Sequence, residues 1–125
     1  MKPSILIIED EKIVREGLVR TLSNSYEAHQ ASTNVEAFEI INDYSEIMVI
    51  ISDLKIPEQE GLELLEKIRS ENRNISVIFL TAFSSIETAI DAIRRGAFDY
   101  IPKPVDLNKL RTSIRKAIEK RYAKN

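Results

Sequence analysis

The stretch MVIISDLKIP, Met48 to Pro57, decides how this chain folds. Four apolar residues and a small serine run straight into Asp53, and Leu54 follows, so the charge does not simply open a polar loop. A short continuous apolar run is what a strand buried on both faces of a sheet requires. Asp53 then stands at the end of that strand, and its surroundings depend on what the rest of the chain brings there.

Working outward, short apolar runs alternate with stretches of helical period. Strands are expected at SILIIE (4–9), YEAHQAS (26–32), IMVIISD (47–53), SVIFLT (76–81) and FDYIP (98–102). The first helix, KIVREGLVRTLSN (12–24), carries Ile13, Val14, Leu18 and Leu22 on one stripe. The second (35–44) has Ala37, Phe38, Ile40 and Ile41 apolar, with Thr33 or Asn34 as its N-cap. The third (61–72) groups Leu64, Leu65 and Ile68. The fourth (85–96) turns Ile86, Ala89, Ile90 and Ile93 inward and stops at Gly96. The last (107–121) places Leu107, Leu110, Ile114, Ala117 and Ile118 together.

Strict alternation of strand and helix implies an α/β fold, a parallel sheet with helices on both faces. Strands one, three and four are almost wholly apolar and belong at the centre. Strands two and five are shorter or more polar and suit the edges. Right-handed crossovers then give the order 2-1-3-4-5, the doubly wound flavodoxin-like arrangement. The winding reverses between strands one and three, and sites in such sheets lie at the carboxyl ends of the strands beside that reversal.

The chain has 125 residues, the size of one domain, and a net charge of −2. That balance provides no general field for nucleic acid or an anionic membrane. Without cysteine there are no disulfides or thiolate metal sites. The first apolar run is too short for a signal peptide or a membrane span. A single soluble, cytoplasmic domain is expected, with no direct contact to nucleic acid or membrane.

Strand one runs out into Glu9, Asp10 and Glu11, and strand three into Asp53. Taken singly, Asp10 or Glu11 reads as a helix cap and Asp53 as the start of a turn. Brought together at the switch point, Glu9, Asp10 and Asp53 form an all-oxygen cluster of formal charge −3 that calls for a hard cation, Mg2+ above others. Thr81 at the end of strand four offers a hydroxyl, and the small Ala82 after it an approachable backbone amide. Lys103, between Pro102 and Pro104, offers an ammonium on a stiffened backbone. In isolation Thr81 is an ordinary strand residue and Lys103 belongs to a solvated turn. Converging on one crevice, they suit phosphoryl transfer. Asp53 would be the nucleophile, and Thr81, Lys103 and the Ala82 amide would stabilise the transferred group. An ionised aspartate needs no general base.

At this point IIEDE (7–11), SDLKIPEQEGLELL (52–65), LTAF (80–83) and GAFDYIPKP (96–104), in order and each at a strand end, resemble the motifs of the receiver domain of two-component response regulators, the CheY-like fold, over the whole chain. The resemblance implies Asp53 as phosphoacceptor, charged from a phosphohistidine on a sensor histidine kinase or phosphotransfer protein. It implies Asp10 as a direct Mg2+ ligand, Glu9 as a ligand directly or through water, and the Lys55 backbone carbonyl as a further metal ligand. Thr81 and Lys103 would hold the phosphoryl group, with a cis Lys103–Pro104 bond. Tyr100 would be the switch aromatic, turning inward as Thr81 moves. The face made by helix four, strand five and helix five would carry the message to an output domain or effector. A phosphorylation-dependent dimer is compatible with it. Residues 81–106 are also similar to receivers of NtrC-type transcriptional activators, which points to transcription regulation. The last helix ends EKRYAKN with no glycine stop, as in a domain excised from a longer chain. Its basic residues Arg111, Arg115, Lys116, Lys120, Arg121 and Lys124 read as a solvated face rather than a partner surface.

The runner-up is a Mg2+-dependent phosphatase with an aspartyl nucleophile. Such enzymes carry a D-x-D pair on the first strand and a cap domain, and neither has a counterpart here. A flavin carrier or nucleotidase would need a phosphate-cradling glycine loop after strand one, where EDEKIV stands instead. Two positions depart from the usual receiver pattern: Glu9 stands where aspartate is common, and Phe83, two residues past Thr81, is bulky and apolar. With Lys55, Phe83 would flank the path of a hydrolytic water. Phe83→Glu or Phe83→Asn is therefore expected to shorten the lifetime of the phosphorylated state, measured as loss of label from Asp53. An unchanged or longer lifetime contradicts that role.

Overall fold

A computed structural model describes residues 2–55, 59–82 and 86–123. Within them the chain alternates β1 (Ser4–Ile8), α1 (Lys12–Leu22), β2 (Glu27–Ala31), α2 (Asn34–Asp43), β3 (Ile47–Leu54), α3 (Gln59–Ser70), β4 (Ser76–Thr81), α4 (Ile86–Arg94), β5 (Asp99–Pro102) and α5 (Leu107–Ala123). All strand pairs are parallel, and the order is β2-β1-β3-β4-β5. The expected sheet is the one found.

The uninterrupted apolar strands are explained by two separate cores. Alternate residues of β1 divide between them: Leu6 and Ile8 pack with Ala37, Ile41, Leu64 and Leu65 of α2 and α3. Ile5 and Ile7 pack with Leu18 and Leu22 of α1 and Leu110 and Ile114 of α5. β3 obeys the same alternation except near its start, where Met48 and Val49 both join the α1/α5 core. The register between β1 and β3 slips there, pairing Ser4 with Ile47 but Ile5 with Val49, as a bulge requires. Beyond that slip the pairing is unbroken to Ile8 beside Ser52, so the residues that follow, Glu9 just past β1 and Asp53 still within β3, stand at the same level. β2 and β5 are partly exposed, as edge strands should be.

Three helical stripes differ from expectation. Ile13 is 87% exposed and Val14 is partly exposed, although Leu18 and Leu22 are buried as anticipated. The first turn of α1 begins past the end of β1, beyond the sheet it would need to pack on. Leu107, at the first position of α5, is exposed too, while Leu110, Ile114 and Ala117 are buried. On α4, Ala89 and Ala92 are buried, whereas Ile90 and Ile93 are 42% and 37% exposed. α4 lies over β4 and the edge strand β5, so its inner face is narrow and small residues fill it. The side chain of Ile86 lies outside the described residues.

Local signals fix the helix ends. Gly96 follows α4 with φ 114°, a backbone conformation costly for any other residue. Gly61 lets α3 approach the sheet: a Cβ there would lie 2.6 Å from Leu54 Cδ1 and 3.2 Å from Phe79 Cε1. Of the two N-cap candidates for α2, Thr33 does the work, its Oγ1 accepting from the Glu36 N–H at 3.2 Å. The Glu36 carboxylate reaches back to accept from the Ser32 N–H and hydroxyl, both at 2.7 Å, and those hydrogen bonds hold its pKa below the usual value. The arrangement is a capping box reaching one residue further back than usual. The basic residues of α5 are not all solvated. The Arg111 guanidinium donates to the Thr21 carbonyl at 2.7 Å, and that of Arg121 to the Asn74 carbonyl at 3.1 Å, tying α5 to the last turn of α1 and to the loop before β4. Lys120 lies over the Phe98 ring at 5.5 Å. Lys124 lies outside the described residues. Thr33→Ala removes the cap and is expected to cost about 1 kcal/mol of stability, read from the midpoint of chemical unfolding.

Candidate functional site

The register of β1, β3, β4 and β5 places Glu9, Asp10, Asp53, Thr81 and Lys103 at the carboxyl edge of the sheet. Glu9 directly follows β1, and its backbone is held by its own N–H donating to the Ala31 carbonyl at 3.0 Å. Its carbonyl accepts from Arg15 Nη1 at 2.9 Å, and Arg15 Nε in turn donates to Gln30 Oε1. Arg15 thus ties the turn after β1 to α1 and β2. Nothing in the sequence pattern distinguished it from any exposed helical arginine.

The Glu9 side chain is buried, and Oε2 accepts from the Glu11 N–H at 2.8 Å. Burial is the main force raising its pKa. The Glu11 N–H opposes that rise, and the neighbouring Asp53 and Asp10 add to it. Asp10 is mostly exposed, and its pKa is lowered, first by the hydrogen bond from Lys55 and then by that from Glu9. Glu11 occupies the N-cap position of α1 but makes no capping hydrogen bond with its side chain, so the simple capping explanation fails for it. Carboxylate oxygens of Glu9, Asp10 and Glu11 lie within 4.8 Å of one another.

Asp53 is the penultimate residue of β3, and its side chain is only 4% exposed. Oδ1 lies 2.8 Å from Lys103 Nζ, close enough for an ion pair, yet it is sealed from solvent and has no aligned hydrogen-bond donor among the described residues. The other oxygen, Oδ2, lies 3.4 Å from Lys55 Nζ. The same ammonium hydrogen-bonds Asp10 Oδ1 and lies 3.5 Å from Glu9 Oε2. One lysine side chain therefore bridges all three carboxylates, and its pKa is raised well above the normal lysine value, chiefly by Asp10. With Lys103 it leaves the cluster a formal charge of −1.

The family resemblance gave Lys55 a backbone carbonyl role and a place beside the path of a hydrolytic water, but nothing in the sequence placed its ammonium among the three carboxylates. A lysine two residues past a strand-end aspartate reads as a solvated loop residue, and only the fold shows that it turns back over the crevice. Thr81 is fully buried at the end of β4, beside Leu54 of β3 and Pro102 of β5, and its hydroxyl donates to the Ala82 carbonyl at 3.1 Å. Tyr100 is half-buried on β5 beside Phe79 and packs against the α2–α3–α4 core. The Lys103–Pro104 peptide is cis. Phe83 lies outside the described residues. A cleft of about 460 Å³ runs from Glu9, Asp10, Asp53 and Lys55 towards Thr33, Glu60 and Glu63.

The donor set suits a hard divalent cation. Glu9, Asp10 and Glu11 offer carboxylate oxygens with no imidazole or thiolate beside them, and Asp53 Oδ2 faces the same Lys55 ammonium as Glu9 and Asp10. The response regulator receiver domain model matches residues 5–115. The regulatory protein AtoC of Escherichia coli (strain K12) is 35% identical over 116 residues, covering 92% of this chain and 25% of that protein. The DNA-binding transcriptional regulator NtrC of Proteus hauseri is 31% identical over 123 residues, covering 94% of this chain and 25% of its own length. Among solved structures, a response regulator receiver domain protein from Clostridium thermocellum superposes with a TM-score of 0.89 at 31% identity, covering 96% of this chain and 97% of that one. The chain belongs to the response regulator receiver domain family, a family of signalling switches. It spans about a quarter of the length of these two curated relatives. No helix among the described residues is long and apolar enough to cross a membrane.

The raised pKa of Glu9 has a stability consequence. Because the folded value exceeds the unfolded one, the contribution of Glu9 is greatest below the ordinary carboxylate range and is lost as pH rises through the raised value. Glu9→Gln keeps an oxygen for the Glu11 N–H and removes the buried charge. In divalent-free buffer the variant is expected to melt higher than wild type at neutral pH, with the difference shrinking on acidification. A thermal melt series across pH checks both.

Proposed function

We propose that Asp53 is the phosphoacceptor of this receiver, taking its phosphoryl group from a phosphohistidine on a sensor histidine kinase or phosphotransfer protein. The observation that carries this reading is the placement of Asp53. Its carboxylate is shielded at a strand end, 2.8 Å from one ammonium and beside two further carboxylates. A carboxylate oxygen of Asp53 attacks phosphorus, the P–N bond to the imidazole breaks, and an acyl phosphate forms. The donor's histidine leaves as neutral imidazole after taking up a proton.

Glu9, Asp10, Asp53 and the Lys55 backbone carbonyl would hold Mg2+, which when bound neutralises charge on phosphoryl oxygens. Lys103 supplies a fixed positive charge beside the acceptor. Thr81 is one strand over, and release of its hydroxyl from the Ala82 carbonyl lets it donate to the phosphoryl group, joined by the Ala82 amide. Vacating the Thr81 position gives Tyr100 room to turn inward, changing the α4–β5–α5 face that an output domain or effector reads, with dimerisation on that face a further means of output. Residues 1–125 would form one cytoplasmic receiver unit of a longer regulator, and similarity to AtoC and NtrC supports transcription as the output. The chemistry of the unit is limited to its own phosphorylation and dephosphorylation.

Incubation with acetyl phosphate and Mg2+, followed by intact mass measurement, is expected to add one hydroxylamine-labile phosphoryl group. Asp53→Ala should abolish it and Lys103→Ala should strongly reduce it. Labelling that survives Asp53→Ala overturns the assignment.

A further inference from the structure

We infer that the Lys55 ammonium is a tethered counter-cation that occupies the divalent-cation position of the crevice, so that Mg2+ binds only by displacing it. This inference rests on the crevice taking a divalent cation, as proposed above.

The argument is one of mutual exclusion. The oxygens facing Lys55 Nζ are Glu9 Oε2, Asp10 Oδ1 and Asp53 Oδ2, one from each carboxylate assigned to the metal. Two cations cannot share the space between the same oxygens. Glu9 and Asp53 are almost fully buried, so without a cation their mutual repulsion would go unscreened by water. Lys103 does not serve here, because its ion pair is with Asp53 Oδ1, the other oxygen of that carboxylate. Lys55 does, and it sits only two residues beyond Asp53, which keeps its ammonium at high effective concentration.

Displacement is also feasible. The Lys55 side chain is 42% exposed, so it can swing out without unpacking a core. The adjoining cleft is lined by Glu60 and Glu63, which give the released ammonium carboxylates to approach. The crevice is thus kept open, with most of its negative charge offset before the metal arrives, at the cost of weaker apparent metal affinity. A binding-competent fraction below one reduces apparent affinity by that fraction.

Calorimetric Mg2+ titration of the full chain tests this with three proteins: wild type, Lys55→Met and Lys67→Met. Lys67 of α3 lies over the Phe38 ring of α2, outside the carboxylate cluster, so its replacement controls for net charge. Lys55→Met is expected to bind Mg2+ at least about fivefold more tightly than wild type, and Lys67→Met to match wild type. In metal-free wild type the Lys55 ammonium protons should exchange slowly enough to be seen by 15N-detected NMR, and Mg2+ should abolish that signal. In chelator, Lys55→Met should melt lower than wild type, and Mg2+ should raise its melting temperature more. Equal Mg2+ affinities for wild type and Lys55→Met, or equal tightening in Lys67→Met, overturn this inference alone. Absence of Mg2+ binding in all three overturns the cation reading of the crevice as well. The acetyl phosphate assay on Asp53 separates that failure from loss of the phosphoacceptor.

Discussion

Repulsion among three carboxylates at the end of a buried sheet is the constraint around which the site is arranged. Glu9 and Asp53 stand at the same level on adjacent chain segments because β1 and β3 are in register up to Ile8 and Ser52. That register is fixed by the two cores, since a slip of one residue would exchange every side chain between the α1/α5 face and the α2/α3/α4 face. The sheet therefore cannot relax to separate the charges. They are answered by cations instead, Lys103 on one side of Asp53 and Lys55 on the other.

The answering groups differ in how they are held. Lys103 follows the edge strand β5, and its N–H donates to the Thr81 carbonyl at 2.8 Å, which extends the β4–β5 ladder into the site. Among the described residues the Lys55 ammonium is held by its contacts with the carboxylates, and its side chain, like that of Lys103, remains partly exposed. The backbone of one cation is thus tied into the ladder, while the other stands just past the end of β3, an arrangement suited to a site that exchanges a tethered charge for a bound one. The supporting structure around them is local and redundant: Arg15 behind Glu9, the Thr33–Glu36 cap beside the cleft, and Ser113 Oγ donating to Asp99 Oδ2 at 2.7 Å where α5 meets β5.

Much of this was legible before any coordinates. The wholly apolar runs of β1, β3 and β4 and the polar edges β2 and β5 gave the strand order, because burial on two faces leaves a different mark from burial on one. The strand ends then pointed to Glu9, Asp10, Asp53, Thr81 and Lys103. Helical faces were less legible. Ile13 and Leu107 match the helical period but stand in first turns beyond the sheet, and Ile90 and Ile93 flank a face so narrow that Ala89 and Ala92 fill it. Periodicity reports which residues share a side of a helix, not whether anything lies opposite.

The sequence by itself determined the class of fold and the set of acidic and basic residues at the carboxyl edge, since both follow from local pattern and topology. Tertiary structure alone decided where the long side chains go. Lys55 could extend into solvent, fold over its own loop or cross the crevice, and nothing within a few residues of it separates those choices. The choice is made by the field of Glu9 and Asp10, 46 and 45 positions earlier in the chain, which the fold brings within reach of its ammonium. A flexible side chain takes its place from the charges around it, and those charges are assembled only when the sheet is complete.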